Sequence, residues 1–72
     1  MICLNMTNND YYDEENDEFV MTVGASVVAL QTEVKIKDQN GEILECRLVN
    51  VEFVPAKQRG RRDVYIIRYR VY

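Results

Sequence analysis

The densest positive charge in the sequence lies in PAKQRGRRD, at positions 55–63. Four of these residues are Lys or Arg, and a guanidinium group holds a phosphate or a carboxylate through paired hydrogen bonds. Two further arginines follow with a spacing of two, which puts both on one face of a strand. A solvated loop that protects a sheet edge has the same composition. If the composition serves binding, it predicts an anion-binding surface that consists of Lys57, Arg59, Arg61, Arg62, Arg68 and Arg70.

The other concentration of charge is acidic and lies near the N terminus. Residues 1–31 carry six acids and no base, whereas residues 32–72 carry nine bases and six acids, so a net charge of −3 conceals two parts of opposite sign. Aromatic side chains within an acidic stretch are typical anchors of a protein interface. We predict that residues 8–18 form an exposed loop and that a protein partner binds Asp10, Tyr11, Tyr12, Asp13, Glu14, Glu15, Asp17, Glu18 and Phe19.

Other interpretations of the acidic segment stay open. The segment could be a mobile, solvated charge run, or it could fold back over the basic loop and screen it. Its carboxylates lack the Asp-x-Asp-x-Asp-Gly spacing and the distal glutamate of an EF-hand loop, so the pattern allows only weak binding of divalent cations.

The residue types that catalysis needs are mostly missing. The chain has no histidine, the usual base near neutral pH, and no Ser, Thr or Cys has a neighbouring base that would activate it. Cys3 and Cys46 belong to no CxxC motif, which argues against zinc. We therefore expect no enzymatic activity, no metal and no cofactor. We expect two reduced, buried thiols, with a disulfide between them as the alternative in an oxidising compartment.

Strands are the elements that would position these residues. In TEVKIKDQNGEILECRL, apolar and polar residues alternate on both sides of DQNG, which predicts a hairpin between a bent strand over 26–37 and a strand over 42–54. Asp38 suits the first position of a type I turn, because its side chain can accept a hydrogen bond from the backbone two residues on. Gly41 supplies the positive φ that a bulged hairpin turn requires.

The strand predicted over 42–54 changes phase along its length. Its apolar residues occupy even positions up to Leu48 and odd positions from Val49 onwards, which is typical of a β-bulge. At about 3.3 Å per residue, a straight strand of this length would span roughly 40 Å, whereas a compact domain of this size is only about 30 Å across. The strand must therefore curl, as in a small barrel or a highly twisted sheet.

The remaining pattern completes an all-β fold. Pro55 ends the long strand because it has no N–H to donate. Strands are predicted over 19–23 and 63–72, and ICLNMT could add a short one. We predict a single domain with a mainly antiparallel meander, built as a small, strongly bent sheet or partly open barrel of four to five strands. Val49, Val51 and Phe53 would face the last strand across the basic loop. An open sheet leaves an apolar edge, so we also expect a homodimer.

Three functions fit this composition. The first is a non-enzymatic protein that docks on a protein partner, and could inhibit it, through the acidic-aromatic segment and the basic loop. The second is a small β-barrel that binds nucleic acid through the basic loop and the last strand, and the third is a sponge for a small anion such as a nucleotide.

No apolar run approaches the roughly 18 residues of a membrane span, so we expect a soluble, cytoplasmic protein. In size and polarity alone, the chain resembles the accessory proteins that bacteriophages encode.

Overall fold

The structure, a computed structural model, describes residues 2–24, 30–57 and 59–72 of the chain. These residues form one sheet with strand order β1-β4-β5-β6-β3-β2, curled into a half-barrel. The first strand pairs in parallel with the fourth, and the other neighbours are antiparallel. The all-β, strongly bent sheet is thus confirmed. Six strands form rather than four or five: β1 Ile2–Asn5, β2 Tyr11–Asp13, β3 Glu18–Gly24, β4 Glu33–Lys37, β5 Ile43–Val54 and β6 Val64–Val71.

The hairpin between β4 and β5 forms as its turn residues predict. The Asp38 carboxylate accepts hydrogen bonds from the backbone N–H groups of Asn40 and Glu42, both at 2.9 Å. Gly41 has a φ of 85° and donates its N–H to the Asp38 carbonyl at 3.1 Å. The strand predicted over 26–37 is shorter than expected, because β4 begins only at Glu33 and residues 30–32 are not in a strand; positions 26–29 of that prediction lie outside the described residues.

The predicted bulge in the long strand is also confirmed. The register between β5 and β6 shifts between Leu48 and Asn50, so Val49 is the extra residue. Leu48 lies opposite Tyr69, and Val51 then lies opposite Ile67. The bulge thereby returns the second half of β5 to the face that the first half occupies. Phe53 and Val51 pair with the last strand as predicted, whereas Val49 does not pair and is exposed.

The acidic segment departs most from its prediction. Residues 8–18 are not a continuous exposed loop, because Tyr11–Asp13 form β2 and pair with the start of β3. The two strands are joined by a short loop, 14–17, in which Asp17 has a positive φ of 54°. A three-residue strand has too little apolar periodicity to be recognised in the sequence, and only its pairing with β3 makes it a strand.

The connection between the two edges of the sheet explains why the sheet curls. Residues 6–10 run from the end of β1, at one edge, to the start of β2, at the other. Six strands in a flat sheet would be about 24 Å across at about 4.8 Å per neighbour. Six Cα steps cover at most about 22 Å when fully extended, and a turn from Thr7 to Asp10 shortens them further. The sheet must bend for the connection to reach.

The core occupies the inner face of the half-barrel. Its buried members come from four strands: Phe19, Met21, Val34, Ile36, Cys46, Ile67 and Tyr69. Cys46 is a free, buried thiol, as expected, but Cys3 is exposed on the edge strand and not buried. No helix in the described residues is long and apolar enough to cross a membrane.

Candidate functional site

Three of the predicted partner-binding residues are buried by the fold. Phe19 is 2% exposed and Glu18 is 4% exposed, while Asp10 is 9% exposed. Phe19 belongs to the core cluster, so it cannot anchor a partner while the core is intact. The sequence already contained the signal, since Phe19 alternates with Met21 along the strand. The residues of this segment that stay accessible are Tyr11, Tyr12, Glu14, Glu15 and Asp17.

Asp10 serves the connection between the sheet edges. One carboxylate oxygen accepts hydrogen bonds from the backbone N–H of Thr7 at 2.9 Å and from the Thr7 hydroxyl at 3.0 Å. The other accepts the backbone N–H of Thr22 at 3.1 Å. β2 pairs only with the start of β3, and Thr22 lies beyond that paired part. The Asp10 carboxylate therefore accepts the Thr22 N–H in place of the backbone carbonyl that a longer β2 would have supplied.

Two of the predicted anion-binding arginines pair with the chain's own carboxylates. Arg70 contacts Glu18 at 2.8 Å, and Arg68 contacts Asp13 at 3.2 Å and Glu18 at 3.4 Å. All four side chains lie on the outer face, and Glu18 stands directly opposite Arg70 in the β3–β6 register. A hydrogen bond from the Asn16 side chain, followed by the contact with Arg68, lowers the pKa of Asp13 against the opposing effect of partial burial.

The first candidate site is an acidic cavity at one end of the half-barrel. It has a volume of about 400 Å³ and lies between the β2–β3 hairpin and the β4–β5 turn. Tyr12 and Phe19 form an aromatic pair in its wall, with ring centroids 5.1 Å apart. The Tyr12 hydroxyl donates a hydrogen bond to Asp17, which raises the pKa of Tyr12 to about 12. Among the described residues, the lining contains no Lys or Arg and consists of Met6, Asp10, Tyr12, Phe19, Asp38, Gln39, Asn40, Glu42 and Leu44.

The second candidate site is the basic loop, defined as residues 55–63 between β5 and β6. Its cations Lys57, Arg59, Arg61 and Arg62 are all exposed. Within the described parts of the chain, no carboxylate forms an ion pair with any of them. Asp63 instead accepts the backbone N–H of Ala56 at 2.7 Å, which ties the two ends of the loop together.

The basic loop borders a groove and an aromatic pair. The groove has a volume of about 390 Å³ and combines apolar residues with cations; it is lined by Val54, Pro55, Ala56, Lys57, Arg61, Arg62 and Val64. At the same end of the hairpin, the Phe53 and Tyr65 rings are 5.4 Å apart, and Phe53 is 50% exposed. The strand pattern predicted only that Phe53 faces the last strand. By the period of two, Tyr72 shares a strand face with Arg68 and Arg70, but its hydroxyl donates to Glu33 at 2.9 Å.

The two candidate sites lie at opposite ends of the sheet. Loop 14–17 is held beside the end of β6 by a hydrogen bond from the Val71 N–H to the Asp17 carbonyl, at 3.0 Å. The basic loop leads into the start of β6 at Val64. Val64 and Val71 are seven residues apart on β6, which at about 3.3 Å per residue is roughly 23 Å. In physiological salt, electrostatic interactions between exposed charges are screened over about 8 Å. The acidic segment therefore does not cover the basic loop; its ordered contacts are with Arg68 and Arg70.

Comparisons with known proteins add no assignment. No protein-family model matches the chain, and no curated protein or solved structure is significantly similar to it.

Proposed function

We propose that this chain is a non-enzymatic binding protein that docks on a protein partner through its acidic end. The acidic end comprises the cavity beside the β4–β5 turn and the exposed face of the β2–β3 hairpin. The observation that carries the proposal is the composition of the cavity wall. The exposed Tyr12 ring, which packs on the buried Phe19 ring, lies with the carboxylates of Asp38 and Glu42, and no described residue of the wall is a cation.

Such a wall suits a Lys or Arg side chain from a partner. A cation over an aromatic face gains about 0.5–1 kcal/mol at an exposed site, and carboxylates at the rim add charge-assisted hydrogen bonds. Tyr12 is 41% exposed, and tyrosines in partly desolvated pockets dominate the energy of many interfaces. Tyr11 points to the other face of β2 by the period of two, so it extends the contact around the hairpin.

We assign the partner contact to the acidic end, because the exposed Tyr12 ring and the carboxylates of Asp38 and Glu42 lie together there. The basic loop lies at the opposite end of the sheet, roughly 23 Å away along β6. Occlusion of a basic surface on the partner would make the protein an inhibitor. Homodimerisation stays a prediction, with the β1 edge and its exposed Ile2 as the surface for it.

To test the proposal, this chain is immobilised and used to capture its protein partner. The captured partner is then purified, and its affinity for the wild-type chain and for each variant is measured. The acidic-end variant is E14Q/E15Q/E42Q, which removes three exposed charges that make no ion pair among the described residues. The matched control is R59Q/R61Q/R62Q at the other end. We expect the acidic-end variant and Tyr12→Ala each to weaken binding at least tenfold, and the control to bind like the wild type. Loss of capture by the control alone would contradict the proposal.

A further inference from the structure

We propose that the basic end of the β5–β6 hairpin is a separate binding site for single-stranded nucleic acid. The site combines the exposed Phe53 ring, its partner Tyr65, and the four cations of the basic loop. It does not depend on the partner site at the acidic end.

The aromatic pair provides the first half of the argument. Phe53 and Tyr65 are cross-strand partners in the β5–β6 register, with ring centroids 5.4 Å apart and an interplanar angle of 57°. Tyr65 packs against the core cluster and holds the pair in place, whereas half of Phe53 faces solvent. An exposed ring on a rigid strand offers a stacking surface to an unpaired base, and every base can use it because every base has a π-face.

The loop provides the second half. Its four cations are exposed and free of ion pairs among the described residues. Lys57, Arg61 and Arg62 line the groove together with four apolar residues from the two strand ends. By the period of two, Val54 and Val64 of the groove face away from Phe53 and Tyr65. A strand whose base lies on Phe53 therefore passes around the end of the hairpin to bring its backbone phosphates to these cations. An acidic protein segment would satisfy the cations but would leave the exposed ring without a stacked partner.

The charge distribution removes the main objection to this function. The net charge of −3 would oppose nucleic-acid binding if the carboxylates surrounded the basic loop. The acidic hairpin instead sits about 23 Å away along β6, and Glu18 and Asp13 are occupied by Arg68 and Arg70. The charge at the basic end therefore comes from the four loop cations and from two carboxylates, Glu52 and Asp63, which leave a balance of +2. The neutralised arginines are not part of the site.

Two measurements test the proposal with a fluorescein-labelled 12-nucleotide oligothymidylate at low salt. Fluorescence anisotropy should show binding whose log K falls with log salt with a slope of about −2.8, since four phosphate contacts on a single strand contribute about −0.7 each. R59Q/R61Q/R62Q should reduce that slope to about −0.7. Phe53→Leu, which keeps an apolar side chain but removes the ring, should lower affinity about fivefold or more.

The controls separate this site from other anion binders and from the partner site. A duplex of equal length and a 12-residue polyglutamate peptide should both bind more weakly than the oligothymidylate. At about 0.15 M salt, where screening acts over about 8 Å, the acidic-end variant E14Q/E15Q/E42Q should bind the oligothymidylate like the wild type, so failure of the partner proposal leaves this one untouched. No binding at low salt would overturn the inference. So would equal binding of the peptide, or an unchanged affinity in Phe53→Leu, because each would leave charge alone as the cause.

Discussion

Replacing Asp10 with Asn should destabilise the fold even though Asp10 lies in a segment that resembles a solvated acidic tail. The wild-type carboxylate accepts three hydrogen bonds, two from Thr7 and one from the Thr22 N–H. An amide at this position keeps one acceptor oxygen and turns its NH₂ group toward a backbone N–H. The substitution therefore leaves at least one donor facing another donor in a largely buried site.

The size of the effect follows from the bonds lost. A hydrogen bond to a charged group contributes about 1.5–3 kcal/mol, so we expect Asp10→Asn to lower the free energy of unfolding by about 2 kcal/mol. A chain of this length has only about 4–11 kcal/mol in total. For a domain this small, a loss of that size corresponds to a fall in Tm of about 8–16 °C.

The assay is urea denaturation followed by tyrosine fluorescence, with amide hydrogen exchange of Thr22 as the local readout. Glu15→Gln, an exposed carboxylate from the same segment, is the matched control and should change stability by less than about 0.5 kcal/mol. Faster exchange of the Thr22 amide should accompany the loss in Asp10→Asn. If Asp10→Asn is as stable as the control, the carboxylate does not hold the connection across the sheet edges and the reasoning fails.

Three further predictions follow from named contacts. Asp13→Asn should lower the urea midpoint at pH 7, and this difference should shrink as the pH falls below about 4. The pKa of Asp13 is lowered, due first to the Asn16 hydrogen bond, so its contribution to stability is complete above the unfolded-state pKa and is lost as the pH falls through the lowered value. A difference that stays constant as the pH falls would contradict this. A thiol reagent at pH 8 should modify only Cys3 in the folded protein, because burial, with the Asp17 charge as a smaller cause, raises the pKa of Cys46 to about 11; rapid reaction of two thiols would show that the Cys46 site opens readily. Gly41→Ala should lower the free energy of unfolding by about 1 kcal/mol in urea denaturation, because the positive φ is unfavourable for a residue with a Cβ, whereas the Cβ itself meets no atom within 4 Å. An unchanged stability would mean that the turn relaxes.

The structure also changes how the acidic segment can be studied. Removing residues 1–18 would take away β1 and β2, both edges of the sheet, together with the Glu18 carboxylate beneath Arg68 and Arg70. A truncated chain would therefore lose acidic residues and folded structure together, so a change in its binding could not be assigned to charge alone. Glutamine substitutions at exposed positions such as Glu14 and Glu15 test the charge alone.

The features that the sequence predicted well are those decided by neighbours in the chain. Asp38 and Gly41 determine their turn through contacts within four residues, and the phase change at Val49 is visible in the order of apolar residues. The all-β class and the curvature of the long strand follow from such local patterns, because strand periodicity and strand length are properties of a continuous segment.

The roles of the charged residues depended on partners far away in the sequence. Glu18 is buried because β3 pairs with β6, which sets it opposite Arg70, fifty-two residues later. Asp10 is structural because the connection from β1 to β2 ends beside Thr22. By itself the sequence determined that this chain is an all-β domain with two oppositely charged segments. Only the tertiary structure decided that one part of this charge neutralises itself on the outer face while the rest is exposed at opposite ends, because strand pairing, and not distance along the chain, determines which charges meet.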